Sequence, residues 1–177
     1  WSYGWSATLG GAFTKDVVTR SDSPAPGLQN WDGPIENFFP NISKNTTDAP
    51  VVASTVTWQP GQMVNHPGPN GEYSVLRWTA PTAGEVEVSA SFSGADSTTT
   101  DVHVLFNETT IAGCDGTVNG FGAGPTCSET LDVEIGDTID FVVGVGSGGY
   151  SNDSTGVDAH ITYVGVDPPD PTPESDL

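Results

Sequence analysis

The segment Gly84–Gly94, GEVEVSASFSG, decides the fold class of this chain of 177 residues. Apolar and polar side chains alternate along it, and the apolar ones are Val86, Val88, Ala90 and Phe92. Because successive side chains of a β-strand point to opposite faces, this period of two predicts a strand with one buried face and one wet face.

The same period of two recurs along the chain, and no amphipathic helix of ten or more residues accompanies it. Further strands are predicted at residues 1–7, 12–19, 51–58, 73–79, 101–106, 128–133, 137–145 and 156–166. Turn sequences such as PGQ, GPNG, PTAG and EIGD separate them. About nine strands at roughly ten-residue spacing predict an all-β protein, an antiparallel β-sandwich that is jelly-roll-like.

Residues 1–166 are predicted to form one β-sandwich domain, followed by an acidic, Pro-rich C-terminal tail or linker at 167–177, DPPDPTPESDL. The least regular part of the domain is 20–50, which is too long for an ordinary loop. We predict that it is a packed, irregular excursion. Its aromatic anchors would be Trp31, Phe38 and Phe39.

The charge balance excludes several partners. Four Lys and Arg residues face 23 Asp and Glu residues, which gives a formal net charge of -19 at pH 7. Such a chain is repelled by phosphate backbones and anionic membrane surfaces, so nucleic acid is not an expected partner. No run of about 18 apolar residues occurs, so membrane insertion is not expected. The chain begins at Trp1 without Met or a signal peptide, as expected of a processed or trimmed form.

The two cysteines, Cys114 and Cys127, flank the segment DGTVNGFGAGPT. No CxxC motif or histidine cluster accompanies them, so a zinc site is not expected. We predict a disulfide, which would stabilise the fold by about 3 kcal/mol and indicates an oxidising, extracellular setting. The alternative is a pair of buried free thiols.

Four N-x-[ST] sequons point to the same compartment, at Asn41, Asn45, Asn107 and Asn152. We predict N-glycosylation at these residues if the source is a secretory eukaryote. In most bacteria the sequons would have no such meaning.

The sequence motifs do not support catalysis. The segment VGSGG around Ser147 has Val145 where a nucleophile elbow requires glycine. Gly144, Gly146 and Gly149 match GxGxxG, but a predicted strand, rather than the helix N-terminus that cradles phosphate, follows them. Pairs of carboxylates are available throughout a chain with 23 acids, so they do not identify a glycosidase. We predict that the protein is not an enzyme.

The three histidines, His66, His103 and His160, are scattered, so they predict no metal site. The oxygen-rich segments 93–101 and 150–156 would suit calcium better than zinc, although neither is an EF-hand loop. No cofactor is therefore expected, with calcium as the alternative.

The segment His66–Gly84, HPGPNGEYSVLRWTAPTAG, combines a histidine, a carboxylate and an arginine, but its pattern is that of turn, strand and turn. We predict that Arg77 pairs with an acid across the sheet. Contact with a sugar hydroxyl or carboxylate is the alternative. Trp58 and Trp78 stand beside apolar neighbours on strands and are predicted to be core residues.

Four segments carry a resemblance to a known family: WSYGWSATLGGAFT, HPGPNGEYSVLRWTAPTAG, TTTDVHVLFN and GDTIDFVVGVGSGGYSNDSTGVDAHIT. Together they resemble β-sandwich domains of secreted and cell-surface proteins of environmental bacteria, over residues 1–162. The resemblance implies a carbohydrate-binding or adhesive module appended to a larger surface protein, without a catalytic residue. The family pattern continues upstream of Trp1, which implies that part of a first strand is missing or is supplied from elsewhere.

Aromatic residues are the candidates for binding, because sugar rings stack on exposed Trp and Tyr while nearby amides and carboxylates bond the hydroxyls. Tyr3 and Trp5 share one face of the first strand with Trp1 and form either a core face or a stacking platform. The other predicted glycan-binding residues are Trp31, in a polar loop, and Tyr150 with Asp153.

Two functions follow as hypotheses. The first is a non-catalytic, extracellular glycan-binding or adhesive module at the cell surface, with a polysaccharide or cell-surface glycan as its partner. The alternative is a structural subunit of an extracellular filament, sheath or surface layer, which self-associates by exchange of a strand or of the tail.

Overall fold

The computed structural model describes residues 1–16, 18–35 and 38–165. Their strands are β1 (Ser2–Ser6), β2 (Thr14–Lys15), β3 (Val18–Ser21), β4 (Leu28–Ile35), β5 (Phe39–Asn45), β6 (Val51–Ala53), β7 (Val56–Trp58), β8 (Met63–His66), β9 (Tyr73–Thr79), β10 (Gly84–Gly94), β11 (Asp101–Phe106), β12 (Thr109–Thr117), β13 (Gly122–Val133), β14 (Thr138–Gly144) and β15 (Thr155–Tyr163). The predicted tail, 167–177, lies outside the described residues.

Two large sheets with antiparallel pairing form a sandwich, which confirms the predicted fold class. The first sheet has six strands in the order β12-β11-β14-β9-β1-β2, and the second has seven in the order β13-β10-β15-β8-β5-β4-β3. A separate hairpin, β6-β7, adds a small third sheet. No helix of the described residues is long and apolar enough to cross a membrane.

The described residues form fifteen strands rather than about nine, because two predicted strands are split and others were missed. Residues 12–19 form β2 and β3, and the chain passes from the first sheet to the second near the buried Asp16. Residues 51–58 form the β6-β7 hairpin, whose turn includes Ser54 at a φ of 53°.

The prediction of an irregular excursion at 20–50 is wrong in its local structure, since β4 and β5 lie there within the second sheet. These strands bury polar side chains, among them Asn30 and Asp32. Arg20 forms two hydrogen bonds with Asp32, at 2.6 Å and 3.0 Å, which compensates the buried carboxylate. Because the buried residues of these strands are in part polar, the sequence shows no alternation of apolar and polar residues that would predict them.

The main core fills the space between the two sheets. The apolar face predicted for β10 is buried there and packs with the inner faces of β14 and β11 in one cluster. Phe141 is fully buried in it, which stabilises the fold by about 2 kcal/mol relative to an exposed ring. Trp78 belongs to the same cluster, as predicted.

A second, smaller core lies on the outer face of the second sheet, beneath the β6-β7 hairpin. Its buried members are Leu28, Val56, Trp58 and Val64. The indole Nε1 of Trp58 donates to Ser43 Oγ at 2.9 Å, so the buried ring has a partner for its polar atom. Trp58 is therefore a core residue, as predicted, although of this outer core.

Two predicted cross-links are present. Cys114 of β12 and Cys127 of β13 form a disulfide between the edge strands of the two sheets. On the outer face of the first sheet, Arg77 donates to both carboxylate oxygens of Asp140, each at 2.7 Å. That bidentate pair across β9 and β14 confirms the predicted role of Arg77.

Candidate functional site

A cleft of about 610 Å³ opens where β8 and β15 part. β8 pairs with β15 only from Thr155 to Val157, while β15 continues to Tyr163. The turn before β8 and the first strand of the other sheet border the gap. We call this opening the β8–β15 cleft; it is lined by Trp1, Tyr3, Lys44, Gln59, Pro60, Gly61, Gln62, Met63, Leu76, Ser91, Ser93, Gly156, Val157, Asp158 and Ala159.

Aromatic rings form one wall of the cleft. Trp1 is 53% exposed, and its ring centroid lies 5.9 Å from that of the buried Phe141. Tyr3 is half-buried and stacks on Trp31, with centroids 3.9 Å apart and planes inclined by 20°. Burial raises the pKa of the Tyr3 hydroxyl, so this group stays protonated and can donate a hydrogen bond.

Amide and hydroxyl groups form part of the opposite wall. The backbone N–H of Gln59 donates to Gln62 Oε1 at 2.8 Å, which fixes the carboxamide within the turn. A Cβ on Gly156 would lie 2.7 Å from Gln62 Nε2 and 2.6 Å from Ser93 Oγ, so a side chain there would displace both groups. The amide nitrogen of Gln62 and the hydroxyl of Ser93 therefore both lie beside Gly156 at this wall of the cleft.

The cleft carries one basic and one acidic side chain among its described lining residues, Lys44 and Asp158. Asp158 Oδ1 lies 3.0 Å from His160 Nε2, on the exposed face of β15. A glycosidase needs two carboxylates that face each other across the scissile bond. This arrangement of lining groups suits binding by stacking and hydrogen bonds.

The predicted stacking residues of the first strand and of 20–50 come together, but with different roles. Tyr3 lines the cleft, whereas Trp31 belongs to β4 rather than to a polar loop and supports Tyr3 from behind. Trp5 is half-buried, and its Nε1 is sealed without a partner among the described residues. Trp5 is not part of the cleft lining.

The two residues predicted near 150 lie away from the cleft. Asp153 is only 1% exposed and accepts a hydrogen bond from the backbone N–H of Thr99 at 2.9 Å. Burial raises its pKa despite that bond. Asp153 therefore holds two loops together, which contradicts a direct role at an exposed ligand. Tyr150 packs edge-on against Phe39, with ring centroids 5.7 Å apart.

The sequence did not identify Gln62, Ser93 and Gly156 as site residues. Their association depends on where β8 begins relative to β15, which is a long-range register. The one local signal was the turn Gln59–Gln62, QPGQ, which places two carboxamides around a Pro-Gly turn.

The four sequons differ in exposure. Asn45 is fully buried and donates both amide hydrogens, to Ala49 O at 2.8 Å and to Trp58 O at 3.0 Å. A glycan on this nitrogen would disrupt both bonds, so the predicted glycosylation of Asn45 is incompatible with the fold. Asn107 and Asn152 are exposed and Asn41 is half-buried, and their glycosylation stays a prediction.

Calcium binding also stays a prediction. In the described ranges, no three or more His, Cys, Asp or Glu side chains group in a way that could hold a metal ion. In the oxygen-rich segment 93–101, Asp96 accepts from the Ser97 N–H at 2.7 Å and from Thr55 Oγ1 at 2.9 Å. These two protein donors take one lone pair on each oxygen of the carboxylate.

No protein-family profile and no curated protein matches the chain. Solved structures do match. A family 51 carbohydrate-binding module from Clostridium perfringens, in complex with methyl-galactose, is 16% identical over 82% of this chain and 100% of that chain, with a TM-score of 0.42. A family 35 carbohydrate-binding module from Clostridium thermocellum is 10% identical over 64% and 86%, with a TM-score of 0.40.

A β-(1,4)-mannanase from Podospora anserina that includes a family 35 module is 11% identical over 81% of this chain but only 29% of that chain, with a TM-score of 0.40. Each of these three matched structures is, or includes, a carbohydrate-binding module.

Proposed function

We propose that the protein is a non-catalytic, extracellular glycan-binding module and that its ligand lies in the β8–β15 cleft. The observation that carries the proposal is the pairing of an aromatic wall, Trp1 and Tyr3, with the amide and hydroxyl groups of Gln62 and Ser93. A sugar ring has apolar C–H faces and polar edges, so it requires this combination of surfaces.

The dimensions of the cleft support the same proposal. Ligand pockets typically measure about 300 to 1,000 Å³ and carry few, well-placed polar groups. The β8–β15 cleft, at about 610 Å³, has room for a short oligosaccharide segment. Its polar groups are amide, hydroxyl, ammonium and carboxylate, all of which bond sugar hydroxyls.

An extracellular location is supported by chemistry that does not depend on the cleft. The disulfide between Cys114 and Cys127 is of a kind that persists in oxidising compartments. The net charge of -19 favours solubility and weakens non-specific adsorption to anionic surfaces.

Affinity electrophoresis against plant and algal polysaccharides, with and without calcium, tests the proposal. We expect retardation of the unmodified protein by at least one polysaccharide. Trp1→Ala should weaken binding about tenfold because a stacking surface is lost. Gln62→Ala should weaken it about fivefold because a hydrogen bond to the sugar is lost.

Phe121→Ala is the matched control, because this ring is exposed and lies outside the cleft. It should leave the retardation unchanged. Unchanged mobility on every polysaccharide would contradict the proposal, and equal losses in all three variants would show non-specific adsorption. The filament or surface-layer alternative stays a hypothesis, which light scattering on native protein tests.

A further inference from the structure

We propose that the protein has a second, separate ligand site, on the outer face of the second sheet, and that it takes an uncharged polyhydroxylated ligand such as a neutral sugar residue. The site is a cleft of about 570 Å³ beside the β6-β7 hairpin, which we call the hairpin cleft. It does not depend on the proposed function of the β8–β15 cleft.

Successive side chains of β8 point to opposite faces of the second sheet, and so they line different clefts. Met63 lines the β8–β15 cleft, whereas Val64 and His66 line the hairpin cleft on the other face of the sheet. Because neighbouring side chains of a strand point to opposite faces, a ligand in one cleft cannot contact the other. The hairpin, from Val52 to Val56, forms one wall of the second cleft.

His66 is the central group of this site. It is only 8% exposed, and its Nδ1 lies 2.9 Å from the carbonyl oxygen of Pro67. A carbonyl can only accept, so Nδ1 carries the proton, and burial lowers the pKa of the ring, which keeps it neutral. Nε2 is therefore an unprotonated acceptor.

The acceptor at Nε2 has no partner among the described residues. It is also not among the sealed, unpaired polar atoms of the described residues. Since His66 lines the hairpin cleft, a hydrogen-bond donor can reach it from that cleft. A nearly buried acceptor without a partner indicates a ligand that brings a donor.

Other free groups surround His66 in the same cleft. The side-chain amides of Asn41 and Asn152 make no hydrogen bond with the described residues, and both line the cleft. Phe38 is 50% exposed and offers an apolar ring surface. Amides that both donate and accept, next to a ring, match hydroxyl groups next to C–H faces.

The charges in the cleft disfavour an anionic ligand. Arg20 lines the cleft, but its guanidinium is bound to Asp32 and lies over Phe38 at 4.2 Å, so its charge is compensated. Asp96, a buried carboxylate, is the other charged lining residue of the described part. A negative ligand would face Asp96 and the lone pair of His66, whereas a hydroxyl donates to that lone pair without a charge penalty.

NMR titration of isotope-labelled protein tests the site, with methyl glycosides of common hexoses and pentoses as neutral probes and with glucuronate and glucosamine as charged probes. The protein is made in a bacterial host without N-glycosylation, because a glycan on Asn41 or Asn152 would occupy the cleft. We expect saturable shifts of the His66 Nε2 resonance and of hairpin amides for at least one neutral probe. Gln62→Ala, which alters the other cleft, should retain them.

His66→Phe keeps the ring that packs on Phe39 but removes the acceptor, and should weaken the neutral probe about tenfold or more. Asn152→Gly, at an exposed residue whose φ of 62° glycine tolerates, should weaken it by about threefold and cannot do so by unfolding the core. His160→Phe is the matched control for a histidine outside the cleft and should have no effect.

Unchanged affinity in both His66→Phe and Asn152→Gly would overturn the proposal. So would shifts that appear only with glucosamine or only with glucuronate, because the site would then be a charge site. Shifts confined to the β8–β15 cleft would leave the proposed function intact and reject the second site.

Discussion

The two edges of the sandwich are closed by different chemistry. At one edge, β12 and β13 are joined by the buried disulfide of Cys114 and Cys127. At the other, the chain crosses from β2 to β3, and the groups near that crossing are Asp16, Arg20 and Asp32. A covalent link is independent of pH, whereas a cluster of one cation and two carboxylates is not. We call them the disulfide edge and the acidic edge.

The buried carboxylate of Asp16 destabilises the acidic edge at neutral pH. It is 6% exposed, and neither carboxylate oxygen has a partner among the described residues. Burial, and then the charge of Asp32, raise its pKa from 3.8 to about 7. Arg20 compensates Asp32 but not Asp16, so this edge is strained by charge at neutral pH in a way that the disulfide edge is not.

The largest expected effect comes from breaking the ion pair of the acidic edge. Arg20→Gln leaves the carboxylate of Asp32 buried, unpaired and close to Asp16. We expect the free energy of unfolding at pH 8 to fall by about 4 kcal/mol, measured by urea denaturation.

The double variant Arg20→Gln/Asp32→Asn removes both charges and should recover more than half of that loss. Recovery of nothing would show that Arg20 acts through its contact with the Phe38 ring instead.

The disulfide edge gives the next effect. Cys114→Ala/Cys127→Ala opens a link that spans 13 residues, and we expect a loss of about 3 kcal/mol at every pH. The unmodified protein in a thiol reductant should lose a similar amount, without the change in side-chain volume. A loss below about 1 kcal/mol would mean that packing of β12 on β13 suffices without the link.

The sequence predicts the strands whose buried face is apolar and misses those whose buried face is polar. β10 and β15 alternate between apolar and polar residues because one face meets the core, and they were predicted correctly. β14 was also predicted, from the apolar face of Ile139, Phe141 and Val143. β4 was missed because polar residues, such as Asn30 and Asp32, are buried on its outward face. Both form hydrogen bonds with Arg20: Asn30 donates to its carbonyl oxygen, and Asp32 accepts from its guanidinium. Local hydrophobicity records burial only where burial is apolar.

The candidate site was less predictable. Tyr3 was identified because its spacing from Trp1 follows the strand period. Gly156 and Gln62 are far apart in sequence, and they come together only because β8 begins opposite the first residues of β15. Asp153 lies in a segment whose composition is typical of a binding loop, but it is buried, and its Oδ1 accepts from Thr99 while its Oδ2 has no partner among the described residues. Composition alone does not distinguish these two situations.

The third expected effect is a gain in stability, from Asp16→Asn. Between about pH 4 and pH 7 the folded chain keeps a proton on Asp16 that the unfolded chain has released, so the free energy of unfolding falls as pH rises. Above about pH 7 that loss is complete. We expect the variant to be more stable by roughly 2 kcal/mol at pH 8, because the buried amide still lacks partners.

At pH 4 the Asp16 carboxyl of the unmodified folded protein is neutral, as is the amide of the variant, so the gain should disappear there. Asp48→Asn, at an exposed residue, is the control and should change the free energy of unfolding by less than about 0.5 kcal/mol at either pH. A gain for Asp16→Asn that is equal at pH 4 and pH 8 would contradict a titrating carboxylate.

The smallest expected effect is at the exposed side of the acidic edge. Val18 is 49% exposed on β3, the edge strand of the second sheet. Val18→Thr should therefore change the free energy of unfolding by less than about 0.5 kcal/mol, whereas Val104→Thr in the fully buried core should cost about 2 kcal/mol. If the loss for Val18→Thr instead grows with protein concentration, the residue is covered by a second copy, as the filament hypothesis requires.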